Sequence, residues 1–307
     1  MNQPPPLHDH SWTAVSEVAR PEEVEHYLFS IIMNALGLPL NSRWRSWLMR
    51  LLGKTVHGIA EKAAAFDESV GRLGFQASAS EWLQRWVSKI DIIGEEYLPS
   101  DEPLLIAANH PGTFDSLALT SIVPRQDLKI ITAGNPFFRS LPNLRQHLIY
   151  TTNDTYVRMA AMRTALRHLS SGGSLLIFPS GKVDPDPDYF LAEAKQSLER
   201  WSDSLEYLLQ KVPQSRLVVA INSGFVAPEF LHNPLVRLNP VKRSRQYVAE
   251  FFQVIQLVLN NHMVSNQPQV HFSPSFSLAD FSPLSENFKE NLHNLAANLM
   301  DISPVAE

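Results

Sequence analysis

Pro103-Leu104-Leu105-Ile106-Ala107-Ala108 runs directly into Asn109-His110-Pro111-Gly112-Thr113-Phe114-Asp115, and the reading of this stretch decides the fold. A short, unbroken apolar run bounded by turn residues is the pattern of a strand buried on both faces, because a half-exposed strand alternates apolar with polar residues. Pro111-Gly112 then imposes a turn, and the residues from about Thr113 to Ile122 read as a helix. Strand, tight turn and helix in that order belong to a parallel sheet, and open α/β sheets place their chemistry at the carboxyl ends of their strands. His110 and Asp115 are therefore the candidate catalytic pair. Across a turn and one first helical residue, the carboxylate can reach back to one imidazole nitrogen. That contact fixes the tautomer and leaves the other nitrogen basic, as a general base requires.

Working outward, similar apolar runs recur at Ile92-Ile93, Leu128 to Ile131, Ser174 to Phe178, Leu217 to Ile221 and Val270 to Phe272. Helical patterns lie between them at Asp115 to Ile122, Tyr156 to Leu169, Tyr189 to Leu209 and Gln246 to Leu259. The alternation predicts an α/β fold with a mixed, mostly parallel sheet flanked by helices. Ahead of it, Val24, Tyr27, Leu28, Ile31, Ile32 and Leu36 repeat at helical spacing, with Gly37 and Pro39 as a stop. Trp44, Trp47, Leu48, Leu51 and Leu52 form a second stripe among Arg43, Arg45 and Arg50. Two Trp among three Arg suit a membrane interface, but the Trp residues are expected in a core and the Arg residues on a solvated rim. Ser78-Ala79-Ser80-Glu81 reads as a capping box opening a third helix. The expected organisation is a disordered tail over residues 1–19, an N-terminal helical bundle domain over 20–90 and an α/β domain over 91–307.

Composition narrows the chemistry. The chain has 307 residues, a 44% apolar and 19% charged make-up, and a net charge of -5, so it has the balance of an ordinary globular protein and no overall basic excess to attract nucleic acid. It contains no cysteine, which removes disulfides, thiolate metal sites and a cysteine nucleophile. The start, Met1 to His10, lacks the charged and apolar regions of a signal peptide. Apolar stretches such as Phe251 to Leu259 are far shorter than the roughly 20 residues that span a bilayer. No His-Glu-x-x-His, P-loop or Gly-x-Gly-x-x-Gly occurs, no metal ligand set is expected, and His8 and His10 are only a superficial metal pair. The expectation is a cytoplasmic chain that works in solution or peripherally at a membrane surface.

With Gly94-Glu95-Glu96-Tyr97-Leu98-Pro99 ahead of the strand and Asn109-His110 to Asp115 after it, the chain resembles the glycerolipid acyltransferases, which include glycerol-3-phosphate and lysophosphatidate acyltransferases. Their first motif is Asn-His-x4-Asp, preceded by a Gly-x-Glu-x-x-Pro turn and an apolar strand. Phe178-Pro179-Ser180-Gly181 stands where the family usually has Phe-Pro-Glu-Gly, and the resemblance covers roughly residues 90 to 275. Leu148-Ile149-Tyr150-Thr151-Thr152 occupies the second motif without its usual Arg. The stretch from Pro179 to Pro187, rich in Pro and Asp, is similar to the soluble plastid-type glycerol-3-phosphate acyltransferases, although most of their phosphate-binding basic residues are missing here.

The resemblance implies transfer of a fatty acyl chain from acyl-CoA or acyl carrier protein to a hydroxyl of a glycerol-3-phosphate or lysophospholipid-like acceptor. It implies His110 as general base, Asp115 as its stabiliser, and no cofactor beyond the thioester. A hydrolase on the same site, or an inactive lipid-binding scaffold, are the alternatives. The expected substrate-binding set is Asn109, Gly112, Thr113, Pro179, Ser180, Gly181, Lys182 and Arg158, with turn amides near Gly112 or Gly181 as donors to an oxyanion. Ser180 is expected to be a turn serine rather than a nucleophile, since no glycine precedes it by two positions. Lys182 reads equally as a phosphate contact or a solvated turn residue. Arg158, Arg163 and Arg167 fit a solvated helix face better than an anionic head-group edge. Lys242-Arg243-Ser244-Arg245 is expected to be a solvated helix start, with anionic lipid or an acidic carrier protein as the other reading.

Overall fold

All five side chains of the strand Leu104–Ala108 are fully buried, which is why its sequence is continuously apolar rather than alternating. The computed structural model describes residues 20–35, 45–237, 242–260, 267–281 and 288–302. Among these, seven strands form one sheet: β1 (Asp91–Ile93), β2 (Leu104–Ala108), β3 (Lys129–Ala133), β4 (Leu148–Thr151), β5 (Ser174–Ile177), β6 (Arg216–Ser223) and β7 (Gln269–Phe272). Their spatial order is β1-β7-β6-β2-β5-β3-β4, and every neighbouring pair is parallel except β6 and β7. The expected α/β class is therefore observed, with the antiparallel step confined to one pair. β2 sits in the middle, so its carboxyl end opens at the centre of the sheet edge.

The longer helices are α1 (Pro21–Ala35), α2 (Arg45–Leu73), α3 (Phe75–Leu83) and α4 (Asp115–Ile122), then, after the short α5 (Pro136–Arg139), α6 (Thr155–Ser170), α7 (Pro187–Ser197) and α8 (Ser204–Lys211). The short α9 (Pro228–Leu231) and α10 (Pro234–Arg237) lead into α11 (Lys242–Asn260), and α12 (Leu278–Phe281) precedes α13 (Phe288–Ile302). Alternation along β2 assigns them to the two faces of the sheet. Leu104, Ile106 and Ala108 share a core with Val24 of α1, Ala60 and Val70 of α2, Trp82 of α3, Leu119 of α4 and Leu257 of α11. Leu105 and Ala107 pack instead with Ala165 of α6, Leu205 of α8 and Ala296 of α13. The N-terminal helices thus cover one face of the sheet. Asp67 of α2, almost fully buried, pins them there by accepting from the amides of Asn143 (3.0 Å) and Leu144 (2.8 Å) and from the Asn143 side chain (2.9 Å). Gly94 lets β1 lie against β7: its φ is +82°, and a Cβ there would meet the Phe272 carbonyl at 2.4 Å.

Several local expectations change. Ser78 does not cap a helix; α3 begins at Phe75 after Gly74, whose φ of +85° breaks it from α2, and Ser78 is buried mid-helix with its hydroxyl paired to that of Ser69 at 3.0 Å. The stretch Tyr189 to Leu209 is two helices, interrupted where Trp201 turns into the core with 1% exposure. Residues 148 to 151, taken only as a weakened motif, form the edge strand β4. Trp47 and Leu51 are 56% and 60% exposed, so this pair is not core. Leu36, Gly37, Pro39, Arg43, Trp44, His8, His10 and the 1–19 segment lie outside the described residues.

Candidate active site

The end of β2 is tied down before it delivers any chemistry. Asn109, fully buried, donates through its side-chain amide to the Asn222 carbonyl (2.8 Å) and accepts from the Asn222 amide (2.7 Å). The Asn222 side chain in turn donates to the Asn109 carbonyl (2.9 Å). These bonds prolong the β2–β6 ladder by one residue after both strands would otherwise part. Asn109, expected to contact substrate, is instead a strand lock with no surface to offer.

The next residue is held just as firmly by its backbone and left partly open at its side chain. The His110 amide donates to Asp184 (3.1 Å), and its carbonyl accepts from the Asp184 amide (2.7 Å). Its ring stacks on Phe178 with centroids 4.5 Å apart. Nδ1 lies 2.8 Å and 3.0 Å from the two oxygens of Asp115, a fully buried carboxylate at the first position of α4. The imidazole keeps 28% exposure, so Nε2 is the nitrogen left for chemistry. Burial by itself lowers the pKa of this imidazole, but the Asp115 carboxylate, aided by Glu250 and Asp184, outweighs it and holds the value at about 9.

The Gly112 amide donates to Asp115 (3.1 Å), and the Gly181 amide donates to the Phe178 carbonyl (3.0 Å). Both amides expected to serve an oxyanion are thus spent on closing their own turns. Ser180 donates to the Lys182 carbonyl (2.8 Å) and to Asp184 (2.9 Å), as a turn serine should, while Pro179 is buried and Lys182 is exposed. Arg158 is exposed in the first turn of α6, which packs on the other sheet face against β4 and β5, and the structure does not bring it to His110. Arg163 and Arg167 are exposed on the same helix. Thr113, by contrast, is exposed beside the pair and donates its hydroxyl to Glu250 of α11.

α11 supplies residues that local sequence patterns did not single out. Gln246 donates to the carbonyls of Pro111 (2.7 Å) and Asp184 (2.9 Å) and accepts from the Asp186 amide (3.1 Å), so one side chain joins the two strand-end turns. Gln253 similarly holds Phe225 and Ala227, at 2.8 Å and 2.7 Å. Asp186, fully buried, accepts from the amides of Gly224 (2.9 Å) and Phe225 (3.0 Å); burial, reinforced by Asp188, pushes its carboxyl up to about 7. Asp184 meets Arg200 at 3.0 Å. Gln246, Glu250 and Gln253 recur at spacings of four and three, the signal of one helix face, but Gln and Glu on a helix ordinarily mean solvent. The side chains of Lys242, Arg243 and Ser244 lie outside the described residues.

The same helix borders an apolar cleft of about 280 Å³, walled by Leu28 of α1, Leu52 and Ile59 of α2, and Phe251 and Val254 of α11. Thr113 and Glu250 also line it, so the cleft meets the turn that carries His110. Among the described residues no helix is long and apolar enough to cross a membrane.

Residues 89–222, under half of the chain, match the family model described as Acyltransferase, a span that contains both strand-end turns. No curated protein matches the chain. Among solved structures it is similar to the crystal structure of the 1-acyl-sn-glycerophosphate (LPA) acyltransferase PlsC from Thermotoga maritima, with 16% identity, a TM-score of 0.44, and coverage of 93% of this chain and 98% of that one. The segment carrying His110 and Asp115 is thus the part of the chain that is similar to the Acyltransferase family.

Proposed function

We propose that the enzyme transfers a fatty acyl group from a thioester donor, acyl-CoA or acyl carrier protein, to a hydroxyl of a glycerolipid-type acceptor, with His110 as general base oriented by Asp115. The observation that carries this reading is the meeting of the His110–Asp115 pair with an apolar cleft at Thr113. Nε2 takes the acceptor proton as the hydroxyl oxygen adds to the thioester carbonyl. The C–S bond then breaks, and the leaving thiolate receives that proton from the imidazolium. One C–O bond forms for each C–S bond lost, and no covalent enzyme intermediate is required.

The acyl chain has its natural place in the cleft between α1, α2 and α11, where Leu28, Leu52, Ile59 and Val254 offer apolar walls. Trp47 and Leu51 are exposed near the start of α2, and Tyr247 and Phe251 are exposed on α11. Aromatic and aliphatic side chains on the helices that wall the cleft favour work at a membrane surface, from which an acyl chain can enter without crossing water. We further propose that residues 20–90 act as a helical unit over the α/β unit.

Replacing His110 with Ala is expected to lower transfer by about 10³-fold in protein that is still folded at the assay temperature, since proton transfer by a positioned side chain is worth roughly 10²–10⁴. Turnover retained in His110→Ala would sink the mechanism. Free fatty acid released at the same rate with and without an acceptor would favour hydrolysis instead.

A further inference from the structure

Glu250 is a carboxylate where an acyltransferase acting on a phosphate ester would be expected to gather cations. It projects from α11 onto the catalytic turn, accepts the Thr113 hydroxyl, and lies so near Gly112 that a Cβ there would sit 3.5 Å from its Oε1. Glu250 and Thr113 both line the apolar cleft at its junction with the turn. For transfer to occur, the thioester carbonyl and the acceptor oxygen must come to about 3–3.5 Å of each other beside His110. The carbon bearing that oxygen, and the group next to it, then fall beside Glu250.

The charges acting most strongly on the imidazole are the carboxylates of Asp115, Glu250 and Asp184. Asp184 is matched by Arg200 at 3.0 Å, and Asp115 by His110 itself. Glu250 has the Thr113 hydroxyl, a neutral donor. An ionised carboxylate accepts hydrogen bonds and donates none, so it welcomes a hydroxyl and repels a phosphate. Burial does hold the Glu250 carboxyl above the usual carboxylate range, an effect that the Thr113 bond and the nearby His110 charge oppose.

We propose that Glu250 selects the acceptor, which presents an uncharged hydroxyl, as in a polyol, beside the one acylated, rather than a phosphomonoester. This inference rests on the acyltransferase mechanism proposed above.

The test is a matched acceptor pair, a 1-monoacylglycerol against the lysophosphatidate of the same chain length, assayed with one acyl-CoA on wild type and Glu250→Gln. Wild type is expected to favour the monoacylglycerol in kcat/KM by about tenfold or more, the size of a like-charge contact near a protein surface. Glu250→Gln, which keeps the shape and removes the charge, is expected to shrink that ratio several-fold by admitting lysophosphatidate. A wild type that prefers lysophosphatidate overturns the proposal whether or not the variant folds, and so does an unchanged ratio in a folded variant. Failure of both acceptors, and of glycerol and glycerol-3-phosphate beside them, to increase thioester cleavage would sink the transfer mechanism and this selection together.

Discussion

The turns that follow β2 and β5 are built alike and used differently. Each leaves a buried parallel strand, passes through a proline and a glycine, and closes on its own amide bonds. The first turn presents a side chain, His110, held at its ring by Asp115 and at its backbone by Asp184. The second presents nothing of the kind: the Ser180 hydroxyl and the Gly181 amide are turned inward, and its contribution is Asp184, which grips the His110 backbone from both sides. The difference teaches that neighbouring motif segments need not share a reaction. In the mechanism proposed above, one performs it and the other is its mount.

The most severe way to break this contrast is at the first turn. Asp115→Asn is expected to cut kcat/KM by about 10³-fold, since it removes the charge that stabilises the imidazolium. The wild-type pH profile should rise toward about 9, where His110 becomes neutral, and the rise in Asp115→Asn should move to lower pH. Stability carries the same signature. His110 titrates above the 6.5 of an unstructured histidine, so its pairing stabilises the fold fully below about pH 6.5, and that contribution is lost as the pH climbs through about 9. Denaturant midpoints measured between pH 6 and 10 should show that loss in wild type and not in Asp115→Asn.

At the second turn the effects should appear first in stability. Asp184→Ala leaves Arg200 without its partner and the His110 amide without an acceptor. It is expected to destabilise by about 3 kcal/mol in a denaturant melt, with activity falling through misplacement of His110. Gln246→Ala breaks the strap between the two turns and is expected to cost roughly 1–3 kcal/mol, with a smaller rate loss. Ser180→Ala should be mildest, about 1 kcal/mol and less than a tenfold change in rate. A loss approaching that of Asp115→Asn would erase the distinction between the turns and revive Ser180 as a reacting group.

How much of this was legible varies with the distance over which each contact forms. The strand at 104–108 and the His110–Asp115 reach lie within a dozen residues and were readable, as was the turn role of Ser180. Glycine placement misled where it mattered locally: Gly74 moved the start of α3 away from the apparent capping box at Ser78. Trp47 and Leu51 look like any helical core stripe until their exposure is seen. Gln246, Glu250 and Gln253 look like any solvated helix face until α11 is laid over the turn that carries His110.

Hydrophobic periodicity alone therefore determined the alternating α/β sheet and the strand-end position of His110, because burial of a continuous apolar run requires a covered strand and a Pro-Gly turn must follow it. Composition alone removed thiol chemistry. Only the tertiary structure decided which groups remain available. Asn109 is consumed by Asn222, 113 residues away, and Pro111 is held by Gln246, 135 residues away. The physical reason is that a hydrogen bond between distant segments depends on how two elements pack. An apolar pattern records that a residue is buried, not which polar group it will meet there.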